Sequence, residues 1–398
     1  MRKTVITAIC LFISLVITGN YIHAESSLPE SGRSYIVDDQ KTKTGDADEM
    51  TAEVASNSES LTLLFMGDIM GHTGQIRSAL QPDKTTYDYT SCFDYIRTYI
   101  SSANLAIANL EVTLAGPPYT GYPRFSSPDS LAAACKDAGI DVLVTANNHS
   151  VDRGKNGIER TIKTLDKLSI LHTGTFLSYS DKKKKSPLVI EKNGFRIALI
   201  NYTEETNGIP VPAPYHVNII RKDRLKADIA EAKKNNPDVV ILFLHWGIEK
   251  QNEPNTEQLA LTDICFNAGA DIIIGSHPHV LQKSIWENQS GKNRFVAYSL
   301  GNFIANQKAP KTDGGQMIQL TLTKDNGITT VSKADYMLTW IYAPEINSQK
   351  KFYILPCKDY ENRPDFFASP EYYNRMKNYI EESRKLLDTR NENVEEIK

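Results

Sequence analysis

Apolar residues along this chain fall into short continuous runs, and each run ends at a polar residue or a glycine. Leu61 opens LTLLFMGD, which stops at Gly67-Asp68; Leu105 to Leu110 (LAIANL) runs into Glu111. Asp141 to Thr145 (DVLVT) leads to Ala146-Asn147-Asn148-His149, and Arg196 to Tyr202 (RIALINY) leads to Thr203-Glu204-Glu205. Val239 to Leu244 (VVILFL) meets His245-Trp246-Gly247, and Asp271 to Ile274 (DIII) meets Gly275-Ser276-His277-Pro278-His279. Phe295 to Leu300 (FVAYSL) ends at Gly301-Asn302. Runs without alternation suit strands buried on both faces.

Helix-like stretches separate them. Pro128 to Ala138 opens with a proline and closes at Gly139, a start-and-stop signature. Gly157 to Leu168 spaces Ile158, Ile162, Leu165 and Leu168 along one face, and Leu225 to Lys234 and Glu257 to Ala268 read alike. Strand and helix alternate, which predicts a layered α/β domain over residues 61–310. From about residue 311 the pattern changes. QMIQLTLT and the segment after it predict strands, and Pro370 to Leu387 a terminal helix, so 311–398 completes or flanks the domain. Lys182 to Lys185 reads as a solvated turn between strands.

The N-terminus follows other rules. Arg2 and Lys3 precede an apolar run from Val5 to Ile17, and Ile22-His23-Ala24 offers a small residue at a cut. Residues 1–24 therefore read as a secretory signal or, extended by Tyr21 and Ile22, a retained membrane anchor. Either places the remainder outside the cytoplasm, secreted or anchored to the cell membrane. Residues 25–60 are rich in Ser, Glu, Asp, Thr and Gly, the composition of a flexible linker.

Length and composition add three limits. A chain of 398 residues with 40% hydrophobic residues can bury a large core. Its net charge of −3 gives no basic surface for nucleic acid. Its five cysteines show no CxxC spacing, and Cys135 and Cys265 sit in helix-like stretches as small apolar residues.

The chemistry lies at the strand ends. Of eight histidines, His149, His245, His277 and His279 each follow an apolar run, and Asp68, Glu111 and Asn148 hold equivalent positions. In α/β sheets ligands bind beyond the carboxyl ends of strands, so residues far apart in sequence can converge there. Imidazole, carboxylate and amide oxygen together suit a divalent transition metal such as Mn, Fe or Zn, as one or two ions.

Six ordered motifs give this chain a family resemblance: Gly67-Asp68-Ile69-Met70; Asn109-Leu110-Glu111; Ala146-Asn147-Asn148-His149 with Asp152 and Gly154; His245-Trp246-Gly247 with Glu249; Gly275 through Gln282; and Tyr298 through Phe303. Together they resemble the CapA/PgsA proteins of poly-γ-glutamate capsule biosynthesis. That family resembles in turn the calcineurin-like metallophosphoesterases, whose fold is a β-sandwich flanked by helices. The resemblance implies that Asp68 and His279 serve a first metal, Asn148, His245 and His277 a second, and that Glu111 bridges them. His149 then stands as the catalytic acid. Phosphoesterases carry a histidine two residues after their first Asp; here that place is Met70, with His72 two residues further on.

If the site is catalytic, the chemistry points to hydrolysis. Asp152 is a candidate to orient His149, or a helix-entry cap. Glu249 and Asn302 are candidates to line the pocket or support the ligands. Arg124 and Arg153 could grip a substrate carboxylate or phosphate, or simply face solvent. Two functions follow. One is a metal-dependent hydrolase acting on an anionic surface polymer such as poly-γ-glutamate, at a phosphoester or a γ-glutamyl amide. The other is a non-catalytic polyanion-binding subunit working with membrane synthase or export subunits. A phosphoesterase unconnected with capsule remains a third.

Overall fold

The computed structural model describes residues 34–36, 59–289 and 293–397. The signal or anchor expected over residues 1–24 lies outside them. So does most of the expected linker, apart from the short strand Ser34–Ile36, which pairs in parallel with Leu188–Lys192, and residues 59 and 60. Among the described residues no helix is long and apolar enough to cross a membrane.

Two large sheets carry the fold. In one, Glu59–Ile69, Leu105–Leu110, Val142–Val144 and Leu171–Thr173 lie side by side and run parallel. In the other, Phe195–Thr203, Val239–His245, Ile272–Ser276 and Arg294–Ala297 do the same. Alternate residues of each continuous apolar run face opposite ways. Leu61, Leu63 and Phe65 join Ile197, Leu199, Ile241 and Phe243 in one core between the sheets. Leu64 and Met66 instead pack with Leu131, Ala134 and Cys135 of the Ser130–Asp137 helix. Ile200, Val240 and Leu242 meet Leu225, Ile229 and Leu261 of the helices Lys222–Lys233 and Thr256–Ala268. The result is a layered α/β sandwich with helices outside both sheets, as the apolar runs predict.

The residues after 310 join this core. Gly314–Asp325 pairs antiparallel with Glu59–Ile69, placing Ile318 opposite Phe65, and Ile328–Tyr342 adds the next strand. The Pro370–Arg390 helix seats Met376, Tyr379, Ile380 and Leu387 in the same core, and the Tyr379 hydroxyl donates to the Gly315 carbonyl at 3.1 Å. Cys92, Cys135, Cys265 and Cys357 are free, buried thiols. The four-lysine run departs from expectation. It lies in a helix, Tyr179–Lys185, because Ser178 Oγ accepts from Asp181 N at 3.0 Å and caps it. Lys182 is buried and paired with Asp228.

One buried amide ties the sheets together near their carboxyl ends. Asn201 Oδ1 accepts from the backbone N–H of Thr145 at 3.1 Å and of Ala146 at 2.6 Å. Its Nδ2 donates to the carbonyls of Ala146 and Phe243 at 3.3 and 3.0 Å. Removing the amide strands buried polar groups on both sheets, at roughly 1–3 kcal/mol each. Asn201→Ala is expected to lower unfolding stability by about 2–4 kcal/mol in urea titrations; a loss below about 0.5 kcal/mol would show that the tie is dispensable.

Candidate metal centre

Strand register assembles the site before any side chain is considered. In the first sheet Asp68 lies beside Asn109 on one side and Asn302 on the other. In the second, His245 lies beside Ser276 and Thr203. Except for the short Asn302–Ile304 strand, which starts here, these strands present their carboxyl ends to the same region. A register shift between Met66 and Asp68 marks a bulge at Gly67, a device that re-aims the following side chain. Only glycine fits there, because a Cβ would meet the Gly301 carbonyl oxygen at 2.0 Å.

Asp68, Glu111, His245 and His279 are all buried, and His277 is half-buried. Two donor groups result, each with its ligand atoms within 4.8 Å of one another: Asp68, Glu111 and His279, and Glu111, His245 and His277. Glu111 belongs to both. His245 Nε2 is the hub of the second group, 3.1 Å from His277 Nδ1, 3.0 Å from Asn148 Oδ1 and 3.6 Å from Glu111 Oε1. In the first, His279 lies 3.1 Å from Asp68 Oδ2 through Nδ1 and 3.6 Å from Glu111 Oε1 through Nε2.

The Glu111 carboxyl gives the clearest test of fit. It is wholly buried, and neither oxygen has a hydrogen-bond partner. Burial, then the Asp68 carboxylate beside it, push its pKa well above the usual range. Such a group keeps its proton unless a cation stands beside it, and His245 and His277 do not supply one. Burial, reinforced by its histidine neighbours, holds His245 well below its ordinary value. Burial and the nearby His279 bring His277 down to about 4. Neutral imidazoles with free lone pairs around an unpaired carboxyl fit a divalent metal.

A surrounding set of hydrogen bonds fixes these rings. Ser276 Oγ lies 2.9 Å from His245 Nδ1, leaving Nε2 to face the site. Asn109 Nδ2 donates to Asp68 Oδ1 at 2.7 Å and reaches His245 Nδ1 at 3.3 Å, while its Oδ1 accepts from Asn147 at 3.2 Å. Metal-binding histidines are commonly oriented through their second nitrogen. The backbone is strained at the same place. His277 and His279 have φ of 99° and 58°, a region non-glycine residues avoid at roughly 1–3 kcal/mol each.

His149 stands beside these donors in a different arrangement. Its Nδ1 lies 2.7 Å from Asp152 Oδ2, which also accepts from Phe125 N at 2.7 Å. The Phe125 ring packs edge-on against His149 at 4.7 Å and against His72 at 5.3 Å. Asp152 therefore orients the imidazole. His72 precedes the Thr73–Ala79 helix; its Nδ1 is 3.2 Å from Asn306 N, and it belongs to neither donor group. Met70 is buried, and its sulfur accepts from Gln307 Nε2 at 3.9 Å.

The remaining candidates divide. Asn302 is buried, with Oδ1 3.1 Å from His279 Nδ1 and its amide donating to Gln307 Oε1 and the Thr312 carbonyl. It positions a ligand, and a substrate has no access to it. Arg153, which precedes the Gly154–Lys167 helix, donates to Thr120 Oγ1, and Thr120 donates to the Arg124 carbonyl at 2.6 Å, so Arg153 is tied to the loop that carries Arg124 and Phe125. The Arg124 side chain is exposed on that loop. Glu249 is exposed and pairs with Lys250 at 3.5 Å, near enough for its charge to raise the pKa of both Glu111 and His277. Asn109, Ser276 and Asn147 were not among the sequence candidates. A polar residue closing a fully buried strand, as Asn109 nearly closes LAIANL, was the available signal.

The Glu111 carboxyl sets the pH dependence. It holds its proton above the ordinary carboxylate range, so a metal must displace that proton, and affinity should weaken as pH falls through the raised pKa. His277 adds its own loss only near pH 4, where it protonates. Zn²⁺ titrated calorimetrically into the metal-free chain, in two buffers of different ionisation enthalpy, should release about one proton per Glu111-bridged site. Glu111→Gln should abolish the release and weaken binding more than about tenfold. Identical enthalpies in both buffers would contradict this account of Glu111.

Comparison with known proteins agrees with this picture. Residues 62–307 match the family described as bacterial capsule synthesis protein PGA_cap. The chain is 31% identical over 286 residues to the capsule biosynthesis protein CapA of Bacillus anthracis, covering 68% of this chain and 66% of that protein. It is 30% identical over 296 residues to the PGA biosynthesis protein CapA of Bacillus subtilis (strain 168), covering 69% and 71%. Among solved structures it is similar to the NAD nucleotidase NadN of Haemophilus influenzae, at 14% identity and a TM-score of 0.47, over 86% of this chain and 64% of that one. It is also similar to the calcineurin-like phosphoesterase YfkN of Bacillus subtilis, at 15% identity and a TM-score of 0.44, over 82% and 98%. With a matched region spanning more than half its length and capsule proteins among its relatives, the chain belongs to the bacterial capsule synthesis protein family PGA_cap.

Proposed function

We propose that this chain is an extracytoplasmic, metal-dependent hydrolase that acts on an anionic polymer, such as poly-γ-glutamate, during capsule synthesis or export. One observation carries the reading: Glu111, buried and unpaired, stands between two donor groups. Asp68, Glu111 and His279 would hold one divalent ion, and Glu111, His245, His277 and Asn148 a second. A transition metal such as Zn, Mn or Fe supplies Lewis-acid polarisation and a nucleophile at neutral pH when bound.

The chain's own residues do the rest. Asp152 occupies His149 Nδ1, so proton transfer runs through Nε2. Protonated at both nitrogens, with Nδ1–H held by Asp152, the imidazole would give its Nε2 proton to the leaving group as its bond breaks, be it a phosphoester oxygen or a γ-glutamyl amide nitrogen, and be left neutral. Phe125 keeps the ring in place and excludes water from one side. Arg124, and Arg153 bonded to the same loop through Thr120, would meet carboxylates or phosphates of the substrate at the rim.

Met70 supports a second reading, a polyanion-binding subunit of a membrane synthesis or export complex. A thioether buried where phosphoesterases carry a histidine leaves the Asp68 group with three donors.

Elemental analysis and turnover separate the two. Two ions per chain, with release of γ-linked glutamate fragments or phosphate that chelation abolishes, is the expected result. His245→Ala and His277→Ala should each lower bound metal. His149→Ala should retain the metal and lose turnover by about 10²–10⁴-fold. A fully metal-loaded chain that leaves both substrate classes intact would sink the hydrolase and leave the binding subunit.

A further inference from the structure

Residues 305–313 form one wall of a cavity of about 420 Å³ beside the metal centre. Trp340 and Phe352 supply aromatic surface inside it, and Lys308, Lys311, Lys350 and Arg375 surround it. Asp313 is its one carboxylate among the described residues. That carboxylate is already used, by Arg375 at 3.2 Å and by the Trp340 indole at 3.1 Å. Lys311 pairs with Glu382 at 3.2 Å. Lys308 and Lys350 form no ion pair with any described carboxylate; Lys350 Nζ reaches Asn306 Oδ1 at 3.5 Å and lies 5.3 Å from the Phe352 ring centre.

Two of these four charges, Lys308 and Lys350, are left uncompensated by any described carboxylate. Burial, then the Arg375 and Lys308 charges, lower the Lys350 pKa, the mark of cations gathered without anions. The wall is also continuous with the metal centre. Asn306 N donates to His72 Nδ1 at 3.2 Å, and Asn302, which positions His279, donates to Gln307 Oε1 at 3.0 Å and the Thr312 carbonyl at 2.8 Å.

We propose that this cavity is an anion subsite that takes a carboxylate of the same polymer whose backbone is handled at the metal centre, with Lys308 and Lys350 providing the charge. This rests on the polyanion reading above and adds the position of a second contact, outside both donor groups. An oxyanion at this place could come from a glutamate polymer or from free phosphate, and the two are separable.

The test is fluorescence anisotropy of a labelled γ-linked glutamate oligomer added to the full chain, kept metal-free by chelator. Wild type should bind, and Lys308→Glu/Lys350→Glu should weaken binding at least about tenfold, or 1.4 kcal/mol. Lys308→Gln/Lys350→Gln should fall between them, and all three should unfold at the same temperature. Inorganic phosphate at equal anion concentration should fail to displace the oligomer. Affinity indifferent to both lysine pairs, or displacement by phosphate on equal terms, overturns the subsite. Turnover in the metal-loaded chain is read separately. Cleavage with lysine-independent binding removes the subsite and keeps the hydrolase, whereas lysine-dependent binding without cleavage does the reverse. A wild type that binds no oligomer when metal-free removes the subsite, and one that also neither binds nor cleaves it when metal-loaded removes both.

Discussion

The site is organised by a carboxyl group with nowhere to place its charge. Glu111 is wholly buried at the end of the Leu105–Leu110 strand, and neither of its oxygens meets a donor. A carboxylate in that position costs several kcal/mol, roughly, unless a cation answers it. The residues around it are arranged for that answer. Three histidines converge on it, and Asp68 on the other flank adds a second negative group, which no arrangement of neutral protein atoms would favour. Backbone strain at His277 and His279 points the same way, since an unfavourable φ persists only where the surroundings over-determine it. Stability here is given up for the geometry of a cation site.

That geometry depends on two sheets agreeing at their carboxyl ends. Asp68 and Glu111 come from one sheet, and His245 and His277 from the other. Packing between the inner faces sets their separation, while Asn201 bonds the Ala146 backbone to Phe243 beside the site. The loop it anchors carries Asn148, His149 and Asp152. The Gly67 bulge and the close approach of Gly301 bring Asp68 and Asn302 into the same layer. The sequence from Gly314 onward lies on the opposite flank of the Glu59–Ile69 strand and buries it in the sheet. A change in that extension would thus reach the metal centre through one shared strand.

Much of this was legible beforehand. Continuous apolar runs became strands with alternate residues in two different cores, as Val240 and Ile241 illustrate. The strand-end rule located Asp68, Glu111, Asn148, His149, His245, His277 and His279, which the fold gathers into one region. Other features needed register. Nothing in the string LAIANL reveals that Asn109 will lie against Asp68, or that Ser276 will orient His245; those contacts arise from which strands are neighbours and how they are offset. Asn302 was visible as a candidate, yet only the structure shows it buried behind His279, away from any substrate. The lysine run misled because the burial of one of its lysines depends on a remote partner. Lys182 is drawn inward by Asp228, on a helix more than forty residues away.

The two donor groups differ, and the difference bears on function. The His245 group gains a fourth donor in Asn148, whose Oδ1 lies 3.0 Å from the same nitrogen that faces Glu111. Beside the Asp68 group the corresponding amide oxygen is Asn302 Oδ1, 3.1 Å from His279 Nδ1, while Met70 is buried with its sulfur toward Gln307 and His72 turns its Nδ1 to the Asn306 backbone. Loss of a donor weakens a cation site more than it alters its shape, because ligand number sets much of the affinity. The hydrolase proposed above would need the Asp68 group to hold its ion with Met70 standing in place of a histidine, and a polyanion-binding subunit would not.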